Sequence, residues 1–538
     1  MPVPQSLGRL CAAAVVALAA AHQARAQGVQ AIDYSISLPA PARHFAHVRA
    51  QFPTGAQPAL DLFIPTWTPG IYAAEDHATR VDSVSARAAD GAPLPVHRTR
   101  TNHWQVETRG AATVTVTYRL RADGRDPGGN WVGDSEMVLN GRATYLSTAS
   151  ASELPAHVAL ALPAGWTSLS SLDTAADRAP DHYRASSYAE LADAPIVAGR
   201  LETVQFDVAG ATHMLVDVGA PAGFSGERAG RALLRLVVEV QRFWGFLPYP
   251  RYEFFNIFRR GAGGPGHINA TILSAAPDVL DTPEARQTWL GDAARGYFRA
   301  FNGTRLHPAE FAPPDYDARP ASPSRWITEG LGTYYGELLL ERAGLAPQQD
   351  FLDGVSRLIA RAQNDPARRA QSLTAASLDA GKLSRPGRAP DWVARGAVVG
   401  LLLDAHLRSV TNGAKSLDDV MRLAYQRYSG TAGYTDQQFR ALVSEVAGSD
   451  QSEWLADALD TTGELDYKEL LGWYGLQFTD GRRWQLDVVE VPKGGPPVPK
   501  DTSANAPPTP AQQQQHLQAL LKPDAGPAPG PGPGPGSG

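Results

Sequence analysis

The sequence is almost without cysteine. Cys11 is the one thiol in 538 residues, and it lies in an apolar run near the N-terminus. Once that run is removed, as argued below, no disulfide, cysteine-based zinc site or cysteine nucleophile can form. Long apolar runs are lacking as well. The N-terminal one, LCAAAVVALAAA, falls short of the about 20 residues that a membrane-spanning helix requires, and no later segment approaches that length. A basic excess is also missing. The formal net charge is −6, which argues against nucleic acid or an anionic membrane as the main partner. What is present, 43% hydrophobic and 19% charged residues, is the composition of a chain that can bury a real core. The length calls for two or three globular units.

The N-terminus has the order of a secretory signal: Arg9 in MPVPQSLGR, the apolar run, then Ala24-Arg25-Ala26 before Gln27. An A-x-A site of this kind is expected to be cut after Ala26, so residues 1–26 read as a signal peptide and the product as secreted or periplasmic. Residues 27–205 read as β-structure. In TVTVTYRL, Val114, Val116, Tyr118 and Leu120 alternate with Thr113, Thr115, Thr117 and Arg119, the period of a half-buried strand. ALDLFIP and HVALALP alternate likewise, and ADGAPLP and ADGRDPGGN supply turns, which suits an antiparallel sandwich. His44 and His47 of HFAH fall on opposite sides of a probable strand, so no metal role is expected for them.

From about residue 227 the period becomes helical. ERAGRALLRLVVEVQRFWGF has a broad apolar face ended by Gly245 and Pro248. TPEARQTWLGDAARGYFRAFN begins with Thr282 as cap, Pro283 at the first helical position and Glu284 at the positive end of the dipole. SRWITEGLGTYYGELLLERAG is expected to run from Ser324 to Gly344. Further helices are expected around 349–363, 393–410, 416–428 and 435–447. Residues 481–538 are rich in proline and glycine and are expected to lack a packed structure. PAQQQQHLQALLK could form a short helix, with too little apolar surface to stand alone.

Five segments, LDLFIPTWTPGIY, GGPGHINATIL, RWITEGLGTYYGELLLERAGL, RGAVVGLLLDAHLR and KSLDDVMR, together resemble the glycyl aminopeptidase family of metallopeptidases. The likeness runs from about residue 30 to 480. It implies an α+β, multidomain fold: an N-terminal antiparallel β-sandwich-like domain (27–205), a thermolysin-like catalytic-type domain (206–348) and an all-helical C-terminal domain (349–480). A Pro/Gly-rich disordered tail then stands where such proteins commonly carry a PDZ module. The resemblance further implies zinc held by two histidines and a glutamate, with a neighbouring glutamate as general base on the metal-bound water.

That chemistry needs two histidines one helical turn apart, a third anionic ligand and an open position for water. Glu329 in ITEGL matches the third ligand. Arg295 stands at the first histidine, Gly296 at the base and Arg299 at the second histidine. Guanidinium groups have no lone pair to offer a metal, and glycine cannot accept a proton. In the substrate-cleft segment, Gly264 and His267 are present, while Gly266 replaces the glutamate that would hold a peptide amine. Trp392 and Val393 stand nearest to where the family carries its oxyanion-stabilising tyrosines. No catalytic residue and no metal cofactor are therefore expected.

The charges that remain are expected to pair: Arg299, Arg295 or both with Glu329, with Asp292 able to join Arg295 by an i,i+3 contact. Alternatively, the two arginines could bind an anion such as a peptide carboxylate. The reading is an exported pseudopeptidase with a binding or scaffolding role, and a peptide or protein as its partner. One alternative is an active aminopeptidase whose metal ligands are rearranged to include His267 and His307. Another is a surface or assembly module using the β-domain and tail.

Overall fold

The computed structural model describes residues 30–67, 76–124, 128–259, 264, 266–275, 282–312, 314–317, 320–380, 391–479, 483–489 and 507–522. The expected signal peptide, with Cys11, and most of the tail lie outside the described residues.

The strands β1 (Ile32–Ser37), β2 (Phe45–Pro53), β3 (Thr113–Arg121), β4 (Ala156–Ala161) and β5 (His182–Ala185) form the middle of an eight-stranded sheet in the order β5–β4–β1–β2–β3. The alternation seen in the sequence decides which face is buried. Tyr34, Val48, Ala50, Val114, Val116 and Tyr118 meet in one core, while Ser35, Arg49 and Thr117 face outward. These pairings are antiparallel except β1 with β4, which are parallel. The expected sandwich thus carries one crossover inside its main sheet. His44 precedes β2 in a left-handed turn, with φ of 57°, and is not a strand residue.

A short helix, α1 (Tyr188–Asp193), is capped by Ser187, which accepts from the Glu190 N–H. It leads to a four-stranded sheet of β6 (Leu201–Val208), β7 (Ala211–Val218), β8 (Arg251–Phe258) and β9 (Ala270–Ala275). Here β6 and β7 are antiparallel, and β7, β8 and β9 are parallel. The helix α2 (Gly226–Trp244) makes the crossover between β7 and β8 and ends, as expected, at Gly245 with φ of 84°. Val138 and Val197 pack with Val216, Phe255 and Ile272, so the first half of the chain is joined to this sheet through apolar contact.

The helix α3 (Pro283–Arg299) starts as its sequence dictates: Thr282 accepts from the Ala285 N–H, and Pro283 occupies the first turn. The next helix differs from its expectation. It begins at Arg325, directly after Ser324, but its first turn is unusual. Trp326–Gly330 winds as a π-helical turn, with the Leu331 N–H bonded to the Trp326 carbonyl, before α4 (Leu331–Arg342) continues. At this turn a Cβ on Gly330 would lie 2.7 Å from the Gly396 Cα, so the two backbones touch. Gly396 belongs to α6 (Trp392–Val410), which follows α5 (Gln348–Asn364). Then come α7 (Leu417–Tyr428), α8 (Asp436–Ala447) and α9 (Lys468–Tyr474).

The tail departs from the expectation of no structure. Pro510–Leu521 forms a helix, α10, capped reciprocally by Thr509 and Gln512. Leu517, Leu520 and Leu521 are buried, Arg342 Nε donates to the Leu520 carbonyl at 2.9 Å, and the His516 ring stacks on Trp473 at 3.7 Å. A lone amphipathic turn has too little apolar surface to hold itself. The ends of α4 and α9 supply the missing surface. Among the described residues no helix is long and apolar enough to cross a membrane.

Candidate functional site

The residues singled out above converge where α3 faces the π-helical turn. Arg299 Nη2 donates to Glu329 Oε2 at 2.5 Å. Both side chains are largely enclosed, 21% and 17% exposed. Burial pushes the Glu329 carboxyl above its ordinary range against the opposing pull of Arg299, Arg325 and Arg295. Glu329 Oε1 is buried and accepts no hydrogen bond among the described residues.

Arg295 goes elsewhere. Its guanidinium pairs with Asp292 one turn earlier on α3, and its stem lies over Gly336, where a Cβ would come within 2.5 Å of Arg295 Cγ. Two arginines on one helical face thus divide their partners between the turn beneath them and the helix opposite. Neither is left without a carboxylate, which weakens the reading of an arginine pair waiting for an anion.

The glycines have steric reasons. A Cβ on Gly296 would lie 2.5 Å from Thr271 Cγ2. Thr271 sits on β9, fully buried, and is held by a 2.6 Å hydrogen bond with the Tyr252 hydroxyl. A Cβ on Gly266 would lie 2.8 Å from the Gly296 carbonyl oxygen and 3.1 Å from Arg299 Cδ. Gly264 presses on β9, with the Ile272 carbonyl oxygen 1.9 Å from where its Cβ would stand. The Thr271 side chain at 296, and the Gly296 carbonyl with the Arg299 stem at 266, fill the space in which carboxylates would have to stand.

His267 is 1% exposed. Its Nδ1 is 3.3 Å from Asp193 Oδ1, and Asp193 Oδ2 accepts from the Ile268 N–H at 2.7 Å. Burial lowers the His267 pKa despite Asp193. Burial acts to raise the Asp193 pKa, but His267, the Ile268 N–H and Arg142 outweigh it and hold the carboxyl below its usual range. His307 directs both ring nitrogens at carbonyls, those of Pro308 and Gly430, at 3.0 and 2.9 Å. Trp392 opens α6 and packs, half-buried, against the central core. Neither histidine approaches Glu329 in any recorded hydrogen bond or ion pair. Among the described residues no group of three or more His, Cys, Asp or Glu side chains is arranged to hold a metal ion.

A cavity of about 800 Å³ has Gly303 in its wall, close to the Arg299 stem, although neither Arg299 nor Glu329 lines it. Its walls include Glu190 and Asp193 from α1, Ile268 from the glycine segment, and Arg305, His307 and Tyr316 from the loops after α3. Arg305 forms part of the wall and is satisfied there by the Ala300 carbonyl at 2.8 Å and Asn269 Oδ1 at 2.7 Å. Sequence reasoning missed Asp193 and Thr271. Thr271 lay inside a quoted segment, in a run with strand character that would have flagged a packed neighbour. Asp193 carried no signal, because its partner is 74 positions away.

Residues 33–200 match the sequence profile of the Peptidase M61 N-terminal domain, and residues 289–396 match that of the M61 glycyl aminopeptidase. The chain belongs to the M61 glycyl aminopeptidase family. An aminopeptidase N family protein from Idiomarina loihiensis superposes with a TM-score of 0.78 at 24% identity, covering 83% of this chain and 78% of that one. An M1 zinc metallopeptidase from Deinococcus radiodurans superposes with a TM-score of 0.51 at 15% identity, covering 81% and 95%. A substituted form of the latter bound to a Tyr-Ser-Ala substrate gives 0.50 at 17% identity, with the same coverage. At these identities the likeness is one of fold: an aminopeptidase-like, α+β multidomain architecture. No curated protein is similar enough to count as a match.

Family membership corrects one expectation, that no metal cofactor belongs to this chain. M61 enzymes and their M1 neighbours are zinc metallopeptidases, so zinc is the cofactor the family implies. The side chains at the corresponding positions do not fit it as they stand. Where the sequence resemblance places the two histidines stand Arg295 and Arg299, whose guanidinium groups offer no lone pair, and one oxygen of Glu329 is already bound to Arg299.

Proposed function

We propose that this M61 protein is exported, does not hydrolyse peptides, and binds a peptide or protein segment in the cavity beside the old catalytic position. The observation that carries the reading is the Arg299–Glu329 pair. It consumes the one retained ligand position, while Gly296, pressed against Thr271, supplies no base and has no room for one. Water activation by a metal or by a carboxylate both need groups that this arrangement replaces.

The binding role rests on the cavity. About 800 Å³ is within the range of small-ligand and peptide clefts, and apolar walls with a few fixed polar groups are their usual lining. Ile268, 37% exposed, is among the few large apolar side chains open to solvent. The exported location rests on the order of charge, apolar run and A-x-A site before Gln27.

The test is an aminopeptidase assay on the purified protein with glycyl and alanyl chromogenic amides, run with and without added zinc. Turnover no greater than the blank is expected in both. Turnover abolished by Glu329→Gln would overturn the reading. Binding is tested with fluorescently labelled Tyr-Ser-Ala. Saturable binding lost in Ala312→Trp, which fills the cavity, is expected, and equal binding by that variant would remove the cavity from the proposal. N-terminal sequencing of exported material should begin at Gln27.

A further inference from the structure

The outward face of the eight-stranded sheet has an unusual centre. Reading across the strands by register, His182 of β5 faces Ala159 of β4, Ala159 faces Ser35 of β1, Ser35 faces Arg49 of β2, and Arg49 faces Thr117 of β3. The floor on both sides of Arg49 is therefore made of small uncharged residues. Two adjoining hollows of about 710 and 480 Å³ share Ser35, Arg49, Ala159 and His182.

The charges nearest this centre are already paired. Arg119 binds Asp82 at 2.8 Å, His157 binds Asp33 at 2.9 Å, His182 binds Asp177 at 2.8 Å, and Arg184 binds Asp173 at 3.1 Å. Among the described residues Arg49 and His47 have neither an ion-pair nor a hydrogen-bond partner, and both are exposed. They stand two residues apart on β2, hence on the same face and about 6.8 Å apart along the strand. A guanidinium carries five N–H donors in a fork that matches a carboxylate. Here that fork stands in a concave, uncharged floor with nothing opposite it.

We propose that this face is a docking surface for an extended acidic peptide segment that carries carboxylates at alternating positions. The two-residue spacing of an extended chain repeats the His47–Arg49 spacing, so one carboxylate meets the Arg49 fork while the next reaches the His47 ring. A flat anionic bilayer fits poorly, because Asp33, Asp82, Asp173 and Asp177 surround the centre and would meet it first. A sugar chain fits poorly too: this row offers no Trp, Tyr or Phe ring of the kind on which sugars stack. A slender acidic strand enters between the carboxylates.

The experiment measures fluorescence anisotropy of a labelled hexapeptide of alternating aspartate and serine, titrated with the full chain at low and moderate salt. Saturable binding is expected that weakens severalfold as salt rises, since the contact is exposed. Arg49→Glu should weaken it at least tenfold, whereas Lys468→Glu, the same change of charge at a distant exposed site, should leave it unchanged. Absence of saturable binding, equal loss in both variants, or tighter Arg49-dependent binding to a sulfated polysaccharide or to anionic vesicles would overturn the proposal. Neither the peptide nor the face involves the cavity, so failure of one proposal leaves the other intact.

Discussion

Gly266 and Gly296 meet with nothing between them but backbone: a Cβ on the first would stand 2.8 Å from the carbonyl oxygen of the second. In the family pattern these positions carry the carboxylates that hold a peptide amine and take the proton from water. Here each is a contact point where the glycine segment rests on α3. Two positions that the resemblance expects to carry functional groups are packing contacts, which bears on what substitutions there can do.

Restoring the base is expected to fail structurally before it is tested chemically. Gly296→Glu forces a side chain into Thr271, which Tyr252 holds in place. Overpacking of this kind costs about 1–3 kcal/mol. Urea unfolding should show the loss, and aminopeptidase activity should not appear. Gly296→Ala is the milder version. Its cost should shrink when combined with Thr271→Ala, and a double-mutant cycle with no coupling between them would disprove the contact.

Removing Glu329 leaves the Arg299 guanidinium enclosed without its partner. Complete burial of such a pair puts the cost of breaking one side at about 3–5 kcal/mol. With 21% and 17% exposure the surrounding solvent reduces this, and about 2–3 kcal/mol is expected for Glu329→Ala. The double variant Arg299→Met, Glu329→Met should recover most of it, since apolar replacement of a buried pair is often neutral. Calorimetric melting of the three proteins checks both statements.

Stability should respond to acid through His213. This residue is fully buried, with Nδ1 3.2 Å from the Ala211 carbonyl and Nε2 3.0 Å from the Tyr297 hydroxyl. Burial lowers its pKa from 6.5 to about 4. Between those values the unfolded chain binds the proton and the folded chain does not. The contribution is therefore complete above pH 6.5 and disappears as the pH falls toward 4, amounting to about 3 kcal/mol. Glu253 acts in the opposite sense: burial raises it to about 7, so its contribution is lost as the pH rises from 4.5 through that value. The difference between wild type and His213→Asn, measured by urea unfolding from pH 7.5 to 4.5, isolates the histidine. The variant should show the shallower fall.

The docked tail helix should come away without unfolding the rest. Leu520→Asp places a charge among Leu517, Leu521 and the ends of α4 and α9. Hydrogen exchange should show lost protection over 510–521, with α3 and α4 protected as before. Loss of protection in α3 as well would show that the tail is part of the main core.

Much of the site was legible in the sequence because its decisive facts are chemical rather than geometric. A guanidinium is no metal ligand wherever it stands, and a three-residue helical spacing predicts the Arg295–Asp292 contact. The spacing could not say which arginine takes Glu329. That depends on Gly336, whose missing side chain lets the Arg295 stem lie across α4 and away from the pair. The π-helical turn was equally hidden. Nothing in SRWITEGLG distinguishes it from an ordinary helix start until Gly396 of α6 is seen against Gly330. The tail helix failed for a different reason: its own apolar surface is indeed too small, and the supporting surface comes from α4 and α9.

The sequence by itself determined the half-buried strand pattern of the first half, the caps of α3, the family, and the guanidinium and glycine chemistry of residues 295, 296 and 299. These follow from periodicity and from side-chain identity, which need no neighbours. Only the tertiary structure decided that Arg299 rather than Arg295 meets Glu329, that glycines 266 and 296 close upon each other, and that Arg49 stands unpaired amid small residues. Each of these depends on which distant segments are brought within a few ångströms, and a linear pattern does not carry that distance.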